Sequence, residues 1–312
     1  MKPKVNLVIV TTLLFVLFQM LTQAQEAPLQ LSAQYSRQLL YLKAQTTSGP
    51  VRFFANTTGG TFLMERALHH RALPMMVEES GNTFIELDAM LAAAQFPLTG
   101  KQHSLLVPYG EGELECDADG MLGQAWFGRY CWTLDYPQQE AWCYQPPLSP
   151  LEAHTVPLSF LENGQGGRIT SFASLNIEVD GEAISLVLDT GARLLPTAAA
   201  CEAMSDTAHT AMGISFIMES VFEEWHAAHP DWPVVEQAGQ ELGNARLIQV
   251  PQITVAGHTV GPVWFCSRPD SYYLTYFSRF TGQPVMGALG GSALQYFRLT
   301  LDYPNGLAKF EH

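Results

Sequence analysis

The residues best placed to do chemistry lie in Ile184-Ser-Leu-Val-Leu-Asp189-Thr190-Gly191-Ala192, an apolar run that ends in an acid and a tight turn. A strand of this kind buries its length and delivers the carboxylate at its tip, where it can accept or give a proton. Gly191 lets the turn close, and the Thr190 hydroxyl can bond backbone and stiffen it. An earlier stretch, Val51-Arg-Phe-Phe-Ala-Asn-Thr57-Thr58-Gly59-Gly60, has the same design without an acid. Aligning the two Thr-Gly dipeptides places Thr57 opposite Asp189, at an offset of 132 residues.

Other chemically suggestive residues read as structural. His226 and His229 are three apart on a helical stretch, but no HExxH frame or third ligand accompanies them, so they read as surface histidines. Ser292 in Gly290-Gly291-Ser292-Ala293-Leu294 lacks the second glycine of a nucleophile elbow and reads as packing. Asp135 and Asp302 each precede Tyr-Pro and read as turn stabilisers. The five cysteines form no CxxC pair, which argues against a zinc knuckle, and neither a metal nor another cofactor is expected. Cys131 and Cys143 flank Pro137 symmetrically, and a regular hairpin centred there would bring them within disulfide reach.

The elements that must position Asp189 come from a duplication. Gly120-Met-Leu-Gly123 through Thr133-Leu-Asp-Tyr-Pro137 recurs at Gly287-Ala-Leu-Gly290 through Thr300-Leu-Asp-Tyr-Pro304, with a constant offset of 167 and 8 identities in 18 positions. Against the offset of 132 upstream, the second copy carries 35 extra residues between its motifs. The helical spacing of Ile214, Ile217, Val221, Phe222 and Trp225 places an inserted helix there, over 212–228. Shorter helical patches fall at 62–73 and 196–204. Strands joined at Asp180-Gly181 fill 176–188, and two more strand-like runs lie between Arg246 and Phe265. The proline-rich Gln145-Pro-Pro-Leu-Ser-Pro150 separates the copies, giving one lobe over 25–150 and a second over 151–312.

These motifs together resemble the aspartic peptidases, in the pepsin-like and retropepsin-like form found in bacteria. Leu186-Val-Leu-Asp-Thr-Gly-Ala192 is similar to that family's catalytic loop. The two Gly-x-Leu-Gly stretches are similar to its downstream apolar strand, and the Thr-Leu-Asp-Tyr-Pro hairpins to the strand pair that closes each lobe. The resemblance implies a mainly β fold of two pseudo-symmetric β-barrel lobes with short helices, and a peptide-binding cleft between them. It further implies two facing aspartates that share a proton, one acting as base on a water and the other as acid. Asp189 carries over as one catalytic aspartate, with Thr190 and Gly191 as its supporting loop and Thr58 and Gly59 as the facing loop. Thr57 stands at the partner position and Asn56 precedes it, so no ionisable partner is expected.

Composition bounds the rest. A formal charge of −14, from 16 basic and 30 acidic side chains, argues against nucleic acid as a partner. Residues 1–24 read as a cleaved signal: Lys2 and Lys4, a 14-residue apolar stretch, then Thr22-Gln23-Ala24. Fourteen residues fall short of a bilayer span, so an exported protein, periplasmic or secreted, is expected, with no stable membrane segment. Three functions follow from the incomplete dyad. The first is an impaired peptidase-like protein, a monomer, that binds a peptide or protein segment. The second is an active endopeptidase assembled from two chains that each lend Asp189, and the third is a structural relic.

Overall fold

The computed structural model of this 312-residue chain describes residues 27–71, 117–243 and 245–312, together with 76–77, 83–86, 91, 96–97 and 105–106. Residues 1–24, read above as a signal, and Cys116 lie outside the described residues.

Two sheets carry the repeat. The first lobe has a five-stranded sheet in the order Ser32–Ser36, Leu39–Thr46, Gly49–Ala55, Gly120–Leu122, Phe62–Leu63. The second has nine strands, with Ser215–Met218, Gly287–Leu289, Glu182–Leu188 and Ser174–Val179 adjacent at its centre. Alternation drives the outer strands: in Ser174–Val179, Leu175, Ile177 and Val179 are buried while Asn176 and Glu178 face water. Asp180 (φ 53°) and Gly181 (φ 82°) make the left-handed turn into Glu182–Leu188, as their Asp-Gly sequence favours. Strands buried on both sides form the centre. There Gly49–Ala55 runs parallel to Gly120–Leu122, and Glu182–Leu188 runs parallel to Gly287–Leu289.

The duplicated glycines have one cause. A Cβ on Gly120 would meet the Phe62 carbonyl oxygen at 2.3 Å, and one on Gly287 would meet that of Phe216 at 2.1 Å. Real Cβ atoms do not approach so closely, so each glycine lets a central strand lie against its antiparallel neighbour. The pairings Phe62↔Met121 and Phe216↔Ala288 then make Phe62 and Phe216 counterparts, at an offset of 154.

That equivalence corrects the inserted helix. Helix Glu65–Arg71 follows Phe62–Leu63 as helix Glu219–Ala228 follows Ser215–Met218, and Glu65 and Glu219 share the offset of 154. The helix is therefore part of the repeat, and Ile217 belongs to the strand before it. The extra residues divide into 21 ahead of this strand, including helix Ala198–Ala203, and 13 behind the helix. Apolar side chains in a strand followed directly by a helix mimic one longer helical period.

Three further expectations change. Neither sheet closes into a barrel among the described residues. The region expected to hold two strands folds as four: Leu247–Val250, Ile253–Val255, His258–Val260 and Val263–Arg268. The hairpin register pairs Trp132 with Cys143, one residue away from the symmetric register about Pro137. A one-residue shift sends Cys131 and Cys143 to opposite faces, and both are free thiols, as are Cys201 and Cys266. Burial pushes the Cys131 thiol up to about 12, too high for a reactive thiolate.

The lobes share a third, six-stranded sheet. Leu29–Gln30, Glu140–Cys143 and Cys131–Asp135 of the first half continue into Arg298–Asp302, Leu307–Glu311 and Thr155–Pro157 of the second. At its middle Thr133 pairs with Thr300, its own counterpart in the repeat, and their hydroxyls meet at 2.9 Å. The pseudo-twofold axis runs between them. Asp135 and Asp302 accept from Gln138 N at 2.9 Å and Asn305 N at 3.1 Å, the turn-stabilising roles expected of them. One hydrophobic core spans both halves, with Trp126, Trp132, Phe127 and Phe297 wholly buried in it.

Candidate active site

Asp189 sits at the end of Glu182–Leu188, 8% exposed, where the strand leaves the second sheet. Its amide N–H donates to Leu289 O at 3.0 Å, and its Oδ1 accepts from Gly191 N at 2.9 Å. The first lobe builds the same loop around Asn56. The Asn56 amide donates to Leu122 O at 3.0 Å, and its Oδ1 accepts from Thr58 N at 2.8 Å and from the Thr58 hydroxyl at 2.9 Å. Gly59 N donates to Asn56 O just as Ala192 N donates to Asp189 O. The loop residues Asn56/Asp189, Thr58/Gly191 and Gly59/Ala192 share an offset of 133, while their partners Leu122 and Leu289 keep the offset of 167.

A reciprocal clasp joins the two loops. Thr57 N donates to Thr190 Oγ1 and Thr190 N donates to Thr57 Oγ1, both at 3.1 Å. Each hydroxyl then donates across the junction, Thr57 to Leu188 O at 2.7 Å and Thr190 to Ala55 O at 3.0 Å. Both threonines are buried, 1% and 0% exposed. Thr57 is thus the counterpart of Thr190, and the placement of Thr57 at the partner-acid position is corrected: Asn56 stands opposite Asp189. The offset is 133, not 132, which leaves 34 extra residues in the second copy, not 35. The sequence signal was available, because Phe53-Phe-Ala-Asn56 matches Leu186-Val-Leu-Asp189 by the ends of their apolar runs. An added threonine ahead of Gly59 draws the Thr-Gly alignment one residue out of register.

The Asn56 carboxamide is oriented by its bonds. Its oxygen is taken by Thr58, and its Nδ2 lies against Gly191, within 2.4 Å of where a Cβ there would stand. Only glycine leaves room for the amide beside the aspartate loop. A cavity of about 320 Å³ opens over Asp189 and Asn56, bounded also by Thr58, Arg268, Tyr272 and Tyr276.

Burial pushes the Asp189 carboxyl up to about 6 from its ordinary 3.8. The Thr58 hydroxyl, the amides of Gly191 and Ala192, and the positive charge of Arg268 oppose that rise. Between about pH 4 and pH 6 the folded protein therefore holds a proton that the unfolded chain has released. Stability falls as pH rises through that window, and the penalty is complete above it. The shift corresponds to no more than about 3 kcal/mol. Asp189→Asn is expected to raise the denaturation midpoint at pH 7.5 and to leave it close to wild type at pH 4. Equal midpoints at both pH values would show that the carboxyl is not strained by burial.

The remaining candidates have structural partners. Ser292 Oγ donates to Trp264 O at 2.7 Å and accepts from Ser215 N at 2.8 Å, a buried knot tying three segments, where packing alone was expected. His229 stacks on Trp232 at 4.1 Å and meets Asp180 Oδ2 at 3.1 Å, bracing the helix end against the Asp180-Gly181 turn. Among the described residues no cluster of His, Cys, Asp or Glu could hold a metal ion, and no helix is long and apolar enough to cross a membrane.

No protein-family model matches the chain, and no curated protein does. Among solved structures, an aspartic proteinase from Irpex lacteus superposes with a TM-score of 0.50 at 10% sequence identity, covering 91% of this chain and 97% of that one. A retropepsin-like aspartic protease from Rickettsia conorii aligns at 13% identity over 52% of this chain and 96% of that one, with a TM-score of 0.29. The two-lobed repeat, the clasped loops and the first superposition agree: this chain has the mainly β fold of the pepsin-like aspartic proteases.

Proposed function

We propose that this chain is an aspartic-peptidase-like protein that binds a peptide or protein segment over Asp189 and hydrolyses it poorly or not at all. The observation that carries the reading is Asn56 opposite Asp189. Peptide hydrolysis by an aspartate pair needs one group to take a proton from water while the other gives one to the carbonyl. A carboxamide can donate a hydrogen bond but exchanges no proton near neutral pH. Losing one acid–base partner typically costs 10²- to 10⁴-fold in rate, about 3 to 5 kcal/mol. The cavity and its aromatic wall do not depend on that partner, and they support retained binding.

The same geometry disfavours an active homodimer built from two copies of the Asp189 lobe. A second copy would need the surface that Thr57 and the strand Cys131–Asp135 already occupy. Export through residues 1–24, to the periplasm or the medium, belongs to this proposal, as do a monomeric state and a partner other than nucleic acid.

The test compares wild type and Asp189→Ala on denatured protein substrates between pH 3 and 7. Neither is expected to cleave, while labelled peptide pools bind wild type in fluorescence anisotropy. Cleavage by wild type that Asp189→Ala abolishes would overturn the impaired reading.

A further inference from the structure

Arg268 ends the strand Val263–Arg268 and lines three hollows: the cavity over Asp189, a second of about 490 Å³ and a third of about 590 Å³. Its guanidinium carbon lies 4.6 Å from the Phe216 ring centre and 5.1 Å from that of Tyr272, and its Nε is buried without a hydrogen-bond partner. The acids nearby are already engaged. Glu219 pairs with Arg246, Glu241 pairs with Arg193 at 2.8 Å, and Asp270 accepts from Ser220 N at 3.0 Å. Asp189 itself accepts from the Gly191 amide at 2.9 Å.

The third hollow has a second guanidinium, Arg279, on its lining and no carboxylate there. Its wall is the π-helical turn Tyr272–Tyr276, a form of helix concentrated at functional sites. Tyr272 and Tyr276 stack at 5.9 Å, yet they are 37% and 54% exposed. In a chain of net charge −14, a hollow lined by two guanidiniums and no acid draws anions toward itself. The arginine fork matches a carboxylate, and the flat ring faces suit the peptide on either side of it.

We propose that Arg268 and Arg279, walled by Tyr272 and Tyr276, form a subsite for a carboxylate of the bound peptide, from an Asp or Glu side chain or from a free C-terminus. The inference rests on the peptide-binding reading above. It gives that binding a chemical preference: acidic segments over neutral ones, with the anionic group held beside Asp189 and not on it.

The experiment measures anisotropy of fluorescein-labelled decapeptide pools in which one position is Glu or Gln in turn, all C-terminally amidated. A parallel series ends in a free acid. Wild type is expected to bind the Glu pool at one position, or the free-acid series, at least about tenfold more tightly than its neutral counterpart, and the difference shrinks at high salt. Whichever series shows the preference identifies the source of the carboxylate. In Arg268→Met, which keeps an apolar stem over Phe216, and in the solvent-facing Arg279→Met, the preference falls to about twofold or less. Urea-unfolding midpoints close to that of wild type report an intact fold in both variants. If peptides bind but acidic and neutral pools tie, or if both variants keep the preference, the subsite is overturned and the peptide-binding reading stands. If no pool of either series binds wild type, the peptide-binding reading fails and the subsite with it.

Discussion

Asn56→Asp is expected to convert a protein silent on denatured substrates into a measurable peptidase, with hydrolysis at least about 10²-fold above wild type. The substitution changes one atom's identity and little geometry. A carboxylate at position 56 accepts from Thr58 N and the Thr58 hydroxyl as the amide oxygen does, so the loop keeps its shape. The Asp189 carboxyl already lies high, at about 6, through burial. Beside it a second carboxyl cannot also ionise freely, so the pair retains one proton over an acidic range. One member then acts as base and the other as acid, and the rate should peak between about pH 3 and 6. The assay is cleavage of quenched fluorescent peptide pools across that range, with Asn56→Asp/Asp189→Asn as the inactive control. Thr57→Asp is expected to gain nothing, because position 57 faces the clasp and not the cavity. Activity from Thr57→Asp but not from Asn56→Asp would reverse the assignment of the partner position.

Thr57→Val should cost about 4 kcal/mol of stability. The hydroxyl donates to Leu188 O and accepts from Thr190 N, and valine leaves both buried groups without partners. Each orphaned buried group costs about 1 to 3 kcal/mol. Thr190→Val removes the matching bonds to Ala55 O and Thr57 N and should cost a similar amount. The double variant should lose close to the sum, since the two hydroxyls serve four different backbone groups, and any shortfall would measure relaxation of the loops. Urea unfolding of the three variants measures this. A loss under about 1 kcal/mol from Thr57→Val would mean that the clasp orients the loops without stabilising them. The two experiments are independent, because Asn56→Asp leaves every clasp bond in place.

The architecture was legible because the duplication preserved residues with strict steric roles. Gly120 and Gly287, or Thr133 and Thr300, tolerate no drift: one pair meets a backbone oxygen and the other sits on the twofold axis. Asp189 was legible for a related reason, as an acid after an apolar strand and before Thr-Gly. Asn56 was harder to read, since the extra threonine before Gly59 pulls the Thr-Gly alignment away from the match between the ends of the apolar runs. The strand–helix boundary at Met218 was hidden because Ile217, Val221 and Trp225 are buried on either side of it. Arg268 and the Tyr272–Tyr276 turn gave no local signal. Their significance comes from which acids are already engaged, and that is a property of the folded chain.

The sheet that mixes both halves has a consequence for how the chain folds and fails. Its central strands, Cys131–Asp135 and Arg298–Asp302, come together across 167 residues of sequence, so the sheet closes only after both lobes exist. Pairings so distant are slow to form, and while they wait each half shows an open edge. Those two edges share the Thr-Leu-Asp-Tyr-Pro sequence. Each is therefore nearly as good a mate for a copy of itself as for its true neighbour. A chain halted before its last strands can pair through Thr133 with another chain halted at the same point. The duplication that gave the protein its two-lobed form also built an exchange hazard into its assembly, which fast closure within one chain must outrun.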